Sequence, residues 1–579
     1  MSKSDTSSAR PALETILDEH GRETAHATMS SPGSQSEMFV SPNQAIPVIF
    51  VPGIMGSPLI STRDKPVWPE QGRWAWRPDD IPWVTNGYGW LEAWQRKELL
   101  DPATTRPVTS PRDVDEEILA AFLKDKTMPL AEAKRRGWGS VMISSYGDIL
   151  CYLEMQLRYI FYRGHLYPGT HAARPAHPEQ WGELRGYERL EDDAFRQAAA
   201  WRFPVYAVGY NWVDSNGRAA DYLKQRIDAI RLDCRERLKL KVDKVLLVTH
   251  SMGGLVARMC AKRYESDILG VIHGVQPAIG AGTAYARVRA GWESDVALSR
   301  PLESLFSMVG AWALGPTGRE VTTVFANGAG PLELLPNHLY GSGWLKIDYK
   351  GRNGQRTLFS LPNADPYEEI YRVPDKWWRL VHPGVLSTAE LEIGGNPNGA
   401  WEKYLRVLSK ARAFHYELAG HYHPVTHAHC GADTGREAWH RITWRLESLV
   451  DAATTIRAAP PSAEAARNAR LTRDPMTGKY CDVHDTTSAG PAAYTNKWTG
   501  QAVIGGSYGG AHYRASLQAQ DDAGDATVPA HSGLAPRNAC QFFAQMRGFD
   551  HQGSYNDEHA RAATLYGILR IAANAPPLS

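Results

Sequence analysis

The stretch KVLLVTHSMGGLVARMCAKRY, residues 244–264, runs from a continuous apolar segment into a helical pattern, with Ser251 at the junction. Continuous apolar runs are typical of strands that are buried on both faces of a parallel sheet. A serine on a sharp turn between such a strand and a helix has its hydroxyl lifted clear of the sheet, as a nucleophile requires. Gly253 leaves room for strand and helix to come close, whereas the β-branched Thr249 crowds the turn. The stretch therefore predicts a nucleophile turn, and His250 within it is interpreted as structural.

Further strands and helices alternate along the chain on both sides of this turn. The apolar runs IPVIFV at 46–51, PVYAVGY at 204–210 and LGVIHGVQP at 269–277 predict strands. Residues 219–238 carry apolar side chains at helical spacing, which predicts an amphipathic helix. Such alternation is typical of a parallel sheet covered by helices. We therefore expect an α/β fold with a mostly parallel central sheet.

Composition and charge exclude several classes of protein. The 579 residues include 64 Lys and Arg against 63 Asp and Glu, a net charge of +1 without a long basic run, which argues against a nucleic-acid binder. No run of about 18 apolar residues predicts a membrane-spanning helix. The opening segment MSKSDTSSARPALETILDEHGRE lacks the apolar centre of a secretory signal, so we expect synthesis in the cytoplasm. The 6 cysteines are scattered without a CxxC pair and are interpreted as buried thiols.

The sequence divides into a core with insertions. Residues 1–44 are rich in Ser, Ala, Glu and Thr and are predicted to be disordered. The other predicted segments are a first core part at 45–283 with a Trp- and Pro-rich insertion at 61–145, a large inserted cap or lid at 284–412, and a second core part at 413–579 with a connector at 452–470. Within the second core part, FHYELAG at 414–420 and HRITWRLES at 440–448 are predicted to return to the sheet as strands.

An acid and a base that could serve Ser251 follow late in the chain. On this kind of fold the orienting acid comes after the nucleophile, and the histidine comes last. GDATVPAHS places Asp525 after a glycine, and FDHQGSYND places His551 shortly before the last predicted helix. His551 would accept the serine proton, and Asp525 would orient the imidazole. The competing acids are Asp521, Asp522 and Asp550, and the competing bases are His531 and His559.

Two backbone N–H groups are candidates for an oxyanion hole, which requires donors that point at the same oxygen. The residue after the nucleophile, Met252, supplies one. The Gly-rich turn VPGIMGS after the first apolar strand supplies the other at Ile54, directly after Gly53. Alone, this turn would be an ordinary strand end, but together with the serine turn it predicts an oxyanion hole.

Several separated motifs together resemble a known family. PVIFVPGIMGS, YNW at 210–212, THSMGG and GDATVP are similar to the motifs of the lecithin–cholesterol acyltransferase and lysosomal phospholipase A2 family, and also to those of bacterial lipases and GPI inositol-deacylases. The similarity covers the order of the catalytic core, about half of the chain. It implies an α/β-hydrolase fold with a large cap. By motif position, it implies a Ser–His–Asp triad and two oxyanion donors, namely Ser251, His551, Asp525, Ile54 and Met252.

The chain departs from the family pattern at three positions. Thr249 and Ala526 replace glycines, and Asn211 replaces an aspartate. The first departure bears on the geometry of the serine turn, and the other two bear on packing.

The resemblance implies a lipolytic serine esterase, a carboxylic ester hydrolase of the lipase or phospholipase A type. Its expected substrates are phospholipids at a membrane surface, and no cofactor is required. Without a signal peptide or a disulfide framework, the chain looks like bacterial lipase effectors that are exported by type VI secretion. That likeness implies a non-Sec export route, a secretion-apparatus partner and a cognate inhibitor (immunity) protein. Two alternatives stay open: acyl transfer to an alcohol through the same acyl-enzyme, and a non-catalytic hydrolase-like binding module.

Two apolar segments are candidates for contact with substrate or membrane. The Trp-rich insertion carries Trp68, Trp74 and Trp76, and a later segment LESLFSMVGAWALG carries Phe306 and Trp312 and is a candidate lid helix. Exposed apolar surface assists a lipase that takes its substrate from a bilayer. Tryptophan is also a common core residue, so the ordinary core of a cap domain is an equal alternative.

One stretch, GHYHPVTHAHC, is rich in potential metal ligands, namely His421, His423, His427, His429 and Cys430. Imidazole and thiolate bind zinc, whereas acidic loops bind calcium. Because the stretch is strand-like, alternating histidines would face both sides of a sheet. The interpretation therefore favours no metal site, and both zinc and calcium stay open as alternatives.

Overall fold

The structure is a computed structural model, which describes residues 15–17, 23–25, 42–68, 71–162, 165–291, 315, 317–351, 354–448, 460–473, 480–485, 493–495, 502–504 and 511–578. Within these ranges, none of the helices combines the length and the hydropathy that a membrane crossing needs.

The core of the protein is a mainly parallel sheet. In the described part of the chain its strands are β1 (Val48–Val51), β2 (Glu183–Arg185), β3 (Val205–Ala207), β4 (Val245–His250), β5 (Ile268–Gly274), β6 (Thr426–Gly431) and β7 (Phe542–Met546). They lie side by side in the order β3–β1–β4–β5–β6–β7–β2. Strand β2 is antiparallel to β7, and the other neighbours are parallel. The expected α/β-hydrolase architecture is confirmed.

The central strands are apolar because helices cover them. In β4, the side chains from Val245 to Val248 are fully buried. Helix Gly253–Arg263 packs on β4 and β5 and against helix Asn216–Glu236, which confirms the amphipathic helix predicted at 219–238. Helix Glu558–Ala573 packs on β5, β6 and β7 and against helix Ile143–Arg158. Ser251 follows the carboxyl end of β4, and ligands of open α/β sheets bind at this edge.

A second sheet, which the sequence analysis did not predict, combines residues from both sides of position 413. Among the described residues, its strands in order across the sheet are Gly354–Leu361, Leu345–Gly351, Ile442–Ser448, Ala511–Leu517, Tyr480–Asp485 and Arg470–Arg473. HRITWRLES is therefore a strand as predicted, but it lies in this sheet rather than in the central one.

The prediction of a strand at 414–420 is wrong, because this segment ends the helix Ala400–Leu418. Upstream, Tyr404, Leu408 and Ala411 are buried at intervals of three and four residues, and the same period continues into the segment. The strand that enters the central sheet here is β6, which begins at Thr426.

Three tryptophans of the Trp-rich insertion, those assigned above to membrane or substrate contact, point inward. Trp68, Trp74 and Trp76 are only 8%, 8% and 1% exposed. Trp76 packs edge-on against Trp83 and Trp212. The expectation that these three tryptophans contact a membrane is therefore corrected to the core alternative. The two other residues assigned to a lid, Phe306 and Trp312, lie outside the described residues.

The other elements of the insertion are strands Leu59–Ser61, Trp74–Trp76 and Thr105–Pro107 and helices Ala93–Leu99, Glu116–Leu123 and Leu130–Arg135. The remaining α-helices of the described chain are Asp192–Ala198, Gly282–Ala290, Gly318–Phe325, Ala329–Leu332, Pro383–Glu392, Ala463–Asn468 and Ala530–Gly533. Short strand pairs are formed by Thr15–Leu17 with Glu23–Ala25, Phe161–Tyr162 with His165–Leu166, Asp433–Ala438 with Asp522–Gly524, and Ala493–Thr495 with Ala502–Ile504.

Candidate active site

Ser251 lies on a strained turn between β4 and the helix Gly253–Arg263. Its φ is +53°, in the left-handed region that costs a residue with a side chain about 1 kcal/mol or more. The strain is imposed by close packing, since a Cβ on Gly253 would lie 2.4 Å from the carbonyl oxygen of Pro52. The turn thus raises the Ser251 side chain at the carboxyl end of β4, as a nucleophile needs.

Thr249 is accommodated beneath this turn without crowding it. Its side chain is fully buried, and its hydroxyl shares a hydrogen bond of 3.0 Å with Nδ1 of His273. Its carbonyl accepts a hydrogen bond of 2.9 Å from the Tyr555 hydroxyl. The departure from glycine at this position therefore leaves the sharp turn intact.

The structure brings Ser251, His551 and Asp525 together in one hydrogen-bonded series. Nε2 of His551 lies 2.8 Å from Oγ of Ser251, and Nδ1 of His551 lies 2.8 Å from Oδ2 of Asp525. The other oxygen of Asp525 accepts the backbone N–H groups of Thr527 at 3.1 Å and Val528 at 2.7 Å, so the carboxylate cannot rotate freely. The Asp525 side chain is only 1% exposed, which strengthens its interaction with the imidazole. This arrangement can remove a proton from the serine hydroxyl.

The turn after β1 carries the N–H of Ile54, the second candidate oxyanion donor. The neighbouring N–H of Gly53 donates to the Tyr146 hydroxyl at 3.2 Å, and the Gly56 N–H closes the turn on the Gly53 carbonyl at 3.1 Å. Among the described residues, no hydrogen bond uses the N–H of Ile54 or of Met252. Ile54 and Ser251 line the same cavity, so both N–H groups are available to an oxygen bound beside the serine.

A cavity of about 390 Å³ opens beside Ser251. Its apolar lining includes Met55, Pro277, Phe325, Pro331, Leu334 and Val528. Its charged lining includes Asp550 and three residues that the sequence analysis missed, namely Arg287, Arg436 and Glu437. The cavity has the size and the apolar character of a small-molecule site.

The competing acids and bases have other partners. Backbone N–H groups bind the acids: His440 and Arg441 donate to Asp521, His531 donates to Asp522, and Gly553 donates to Asp550. The His531 ring contacts the Tyr340 carbonyl at 2.9 Å, and His559 lies in the first turn of the last helix. Within the described residues, none of these five side chains is recorded in a hydrogen bond with Ser251.

The histidine-rich stretch is distributed over β6 and the loop before it. His427 packs against Phe542 and Tyr566, whereas His429 packs against Tyr555. Burial lowers the pKa of His427 to about 3 and of His429 to about 4, so both imidazoles are neutral. In the described part of the chain, no group of three or more His, Cys, Asp or Glu side chains could hold a metal ion.

The two remaining departures from the family pattern have distinct structural effects. The Asn211 amide donates to the Thr105 carbonyl at 3.1 Å and so ties the core to the Trp-rich insertion. Ala526 has a φ of +70°, a conformation in which glycine would carry no strain. Asn211 thus bears on packing as expected, whereas Ala526 bears on the backbone of the acid loop.

Comparisons with known proteins find similarity over part of the chain to one family and over most of the chain to a solved structure. The family model for lecithin:cholesterol acyltransferase matches residues 202–336, which include the serine turn. A chain in the crystal structure of the Tle4–Tli4 complex is 28% identical, with a TM-score of 0.65 over 92% of this chain and 99% of that chain. No curated protein matches the chain. The chain is similar to an acyltransferase family around its serine turn and to a chain of the Tle4–Tli4 complex over most of its length. These similarities support an enzyme that acts on acyl esters, and by fold the chain is an α/β hydrolase.

Proposed function

We propose that the chain is a lipolytic serine esterase that hydrolyses acyl esters of phospholipids. The observation that carries the proposal is the hydrogen-bonded series from Asp525 through His551 to Ser251, with 2.8 Å at each contact. A hydroxyl, an imidazole and a buried carboxylate in this order form the arrangement that activates serine in unrelated hydrolases.

The proposed reaction proceeds through an acyl-enzyme. Oγ of Ser251 attacks the ester carbonyl while Nε2 of His551 takes its proton, and the N–H groups of Ile54 and Met252 stabilise the oxyanion. His551 then returns the proton to the departing alcohol, which leaves the acyl group on Ser251. A water molecule, deprotonated by His551, attacks this ester and releases the fatty acid. Asp525 holds the imidazole in the required tautomer and stabilises its charged form.

The cavity supports a lipid rather than a polar ester as the substrate. Met55, Phe325 and Leu334 provide apolar surface next to the serine, which suits an acyl chain. Arg287 and Arg436 line the same cavity and provide cationic groups that suit a phosphate.

The test measures release of fatty acid from phosphatidylcholine and phosphatidylglycerol vesicles. Ser251→Ala is expected to lower kcat by about 10⁴-fold or more, because it removes the nucleophile. Asp525→Asn is expected to lower kcat by up to about 10⁴-fold, because it disturbs the tautomer of His551.

The matched control is Asp521→Asn, in the same acid loop, whose carboxylate binds only backbone N–H groups in the described chain. Its kcat is expected to stay within a few-fold of the wild-type value. Full turnover by Ser251→Ala, or equal losses in the two aspartate variants, would contradict the assignment.

Acyl transfer to an alcohol is a second candidate, and the match of residues 202–336 to an acyltransferase family favours it. Both reactions share the acyl-enzyme and differ only in whether water or an alcohol attacks it. Product analysis with and without a long-chain alcohol or sterol separates them, because transfer yields a new ester and hydrolysis yields free fatty acid. Covalent labelling of Ser251 by a fluorophosphonate separates both from a non-catalytic binding module, which would not react.

We also propose that the protein acts outside the cell that makes it, by a non-Sec route such as type VI secretion, and that an inhibitor protein binds it. The support is its similarity to a chain that was crystallised within the Tle4–Tli4 complex. We propose no cofactor for the reaction, since the triad needs none. Hydrolysis that persists at full rate in a chelator is the expected result.

A further inference from the structure

His250 contacts both the loop of the proposed base and the helix beside the oxyanion turn. Its Nε2 lies 2.9 Å from the backbone carbonyl oxygen of His551, and its Nδ1 lies 3.0 Å from the Tyr146 hydroxyl. Because a carbonyl oxygen only accepts, Nε2 must carry the proton. Burial lowers the pKa of His250 to about 3, so the ring is neutral and Nδ1 is left as an acceptor.

The direction of the next two hydrogen bonds follows from this tautomer. Nδ1 of His250 accepts, so the Tyr146 hydroxyl donates to it. The oxygen of that hydroxyl then accepts the N–H of Gly53 at 3.2 Å. One directed series therefore runs from the Gly53 N–H through Tyr146 to His250, which donates in turn to the carbonyl of His551.

This series has a defined effect on the oxyanion turn. It engages the Gly53 N–H with Tyr146, while the next N–H, that of Ile54, has no partner within the described chain. The fit is close, since a Cβ on Gly53 would lie 2.9 Å from Nδ1 of His250, and a Cβ on Gly56 would lie 2.9 Å from the Tyr146 hydroxyl. Glycine at both positions therefore lets the turn approach the two side chains.

Both side chains are held rigidly enough to transmit a position. Tyr146 and His250 are each 1% exposed. The Tyr146 ring packs on Phe50 of β1 at 5.0 Å, and the His250 ring packs on the His551 ring at 5.1 Å. A displaced series would therefore move groups on both sides of Ser251.

We propose that Tyr146 and His250 are positioning residues. They fix the position of the turn that carries the Ile54 N–H relative to the backbone that carries His551, so that both stay correctly placed around Ser251. The inference rests on the proposed function of Ser251 as the nucleophile. His250 also lines the cavity, but neither side chain takes part in the proposed chemical steps. Their contribution is the placement of an oxyanion donor and a base that lie on separate loops.

The test compares Tyr146→Phe, His250→Gln and the double variant in the full-length protein. Tyr146→Phe keeps the ring and removes the hydroxyl. His250→Gln keeps an amide donor for the His551 carbonyl and removes the Nδ1 acceptor. The readouts are kcat and KM for the soluble ester p-nitrophenyl butyrate, the rate of fluorophosphonate labelling and the temperature of thermal unfolding. Tyr404→Phe is the matched control, since Tyr404 is also 1% exposed and its hydroxyl donates to a backbone carbonyl, that of Tyr371.

Each single variant is expected to lower kcat and the labelling rate by about 10-fold or more with KM changed less than about twofold, because the ground state of the substrate is bound as before. The double variant is expected to fall no further than about twofold below the lower single variant, because both changes remove the same hydrogen bond. Tyr404→Phe is expected to keep the wild-type kcat.

A kcat for Tyr146→Phe within twofold of the wild-type value, or losses that multiply in the double variant, would overturn the inference. So would an equal loss of kcat in Tyr404→Phe, which would assign the effect to general stability. A Ser251→Ala variant that hydrolyses the ester at the wild-type rate would instead contradict the proposed function. The two failures are therefore distinguishable.

Discussion

Glu333 links the stability of the protein to pH near neutrality. Its side chain is fully buried, where one carboxylate oxygen accepts the Ser215 hydroxyl at 2.8 Å and the other accepts the Asn216 N–H at 2.7 Å. These contacts cap the long helix Asn216–Glu236 beside the nucleophile helix. Burial raises the pKa of Glu333 from 4.5 to about 8.

The sign of the effect follows from proton binding in the two states. Between the unfolded pKa of 4.5 and the folded pKa of about 8, the folded chain keeps a proton that the unfolded chain has released. The free energy of unfolding therefore falls as the pH rises, and the contribution that is present below the unfolded pKa is lost through the folded pKa. At about 1.4 kcal/mol per pH unit, the whole interval corresponds to about 5 kcal/mol as an upper limit.

Buried histidines act in the opposite direction. Burial lowers the pKa of His250, His273 and His427 to about 3, so their contribution rises with pH and is complete only about one pH unit above the ordinary histidine value of 6.5. Because these histidines are common to the wild type and to a Glu333→Gln variant, the difference between the two chains isolates the Glu333 effect. Between pH 6.5 and pH 8 it is expected to lower the free energy of unfolding by about 1.5 kcal/mol.

Urea denaturation of the wild type and Glu333→Gln at several pH values between 6.5 and 8 measures this slope. Glutamine keeps an oxygen for the Asn216 N–H and has no proton to lose, so the variant should lack the decline. The control is Glu369→Gln, because Glu369 also accepts backbone N–H groups, those of Asn363, Ala364 and Asp365. These hydrogen bonds hold the pKa of Glu369 below its ordinary value of 4.5, so it titrates far below this pH window. Parallel pH curves for the wild type and Glu333→Gln would show that Glu333 does not carry the effect.

Two further predictions concern the acid loop and the surface. Ala526→Gly is expected to leave the free energy of unfolding unchanged or to raise it by up to about 1 kcal/mol, because it relieves a φ of +70°. The control Ala523→Gly, at a nearby position, is expected to lower the free energy of unfolding by about 0.5–1 kcal/mol. Equal losses of stability for the two variants in urea denaturation would contradict the backbone strain at Ala526. Trp90→Ala is expected to weaken cosedimentation with phosphatidylcholine vesicles and to leave turnover of a soluble ester unchanged, because Trp90 is 75% exposed. The control is Leu232→Ala, since Leu232 is 53% exposed on a core helix. Equal vesicle binding by both variants would argue against a membrane contact at Trp90.

Local patterns were sufficient to predict the centre of the fold. The strands β1, β4 and β5 are mainly apolar because both faces are covered, and such runs are visible without knowledge of their neighbours. The meeting of Ser251, His551 and Asp525 was predictable for a related reason, since each follows the end of a strand or lies in a loop at one edge of a parallel sheet. The motif GDATVP, in which the acid follows a glycine, then distinguished Asp525 from the other acids of its loop.

Features that depend on distant partners were not predictable from these patterns. The second sheet pairs Leu345–Gly351 with Ile442–Ser448, and neither segment by itself indicates which strand it joins. The tryptophans of the insertion require a large apolar environment, but composition does not distinguish a core from a membrane. Tyr146 belongs to no motif, and only the folded chain brings it to His250.

The separation of Ser251 and His551 by 300 residues has a consequence for how the protein is made. During translation the serine turn leaves the ribosome long before β7 and the loop that follows it. A nascent chain whose first strands have already paired contains Ser251 but still lacks His551. The proposed ester cleavage therefore requires β7 and the loop after it, and a fragment that ends before β7 lacks the proposed base.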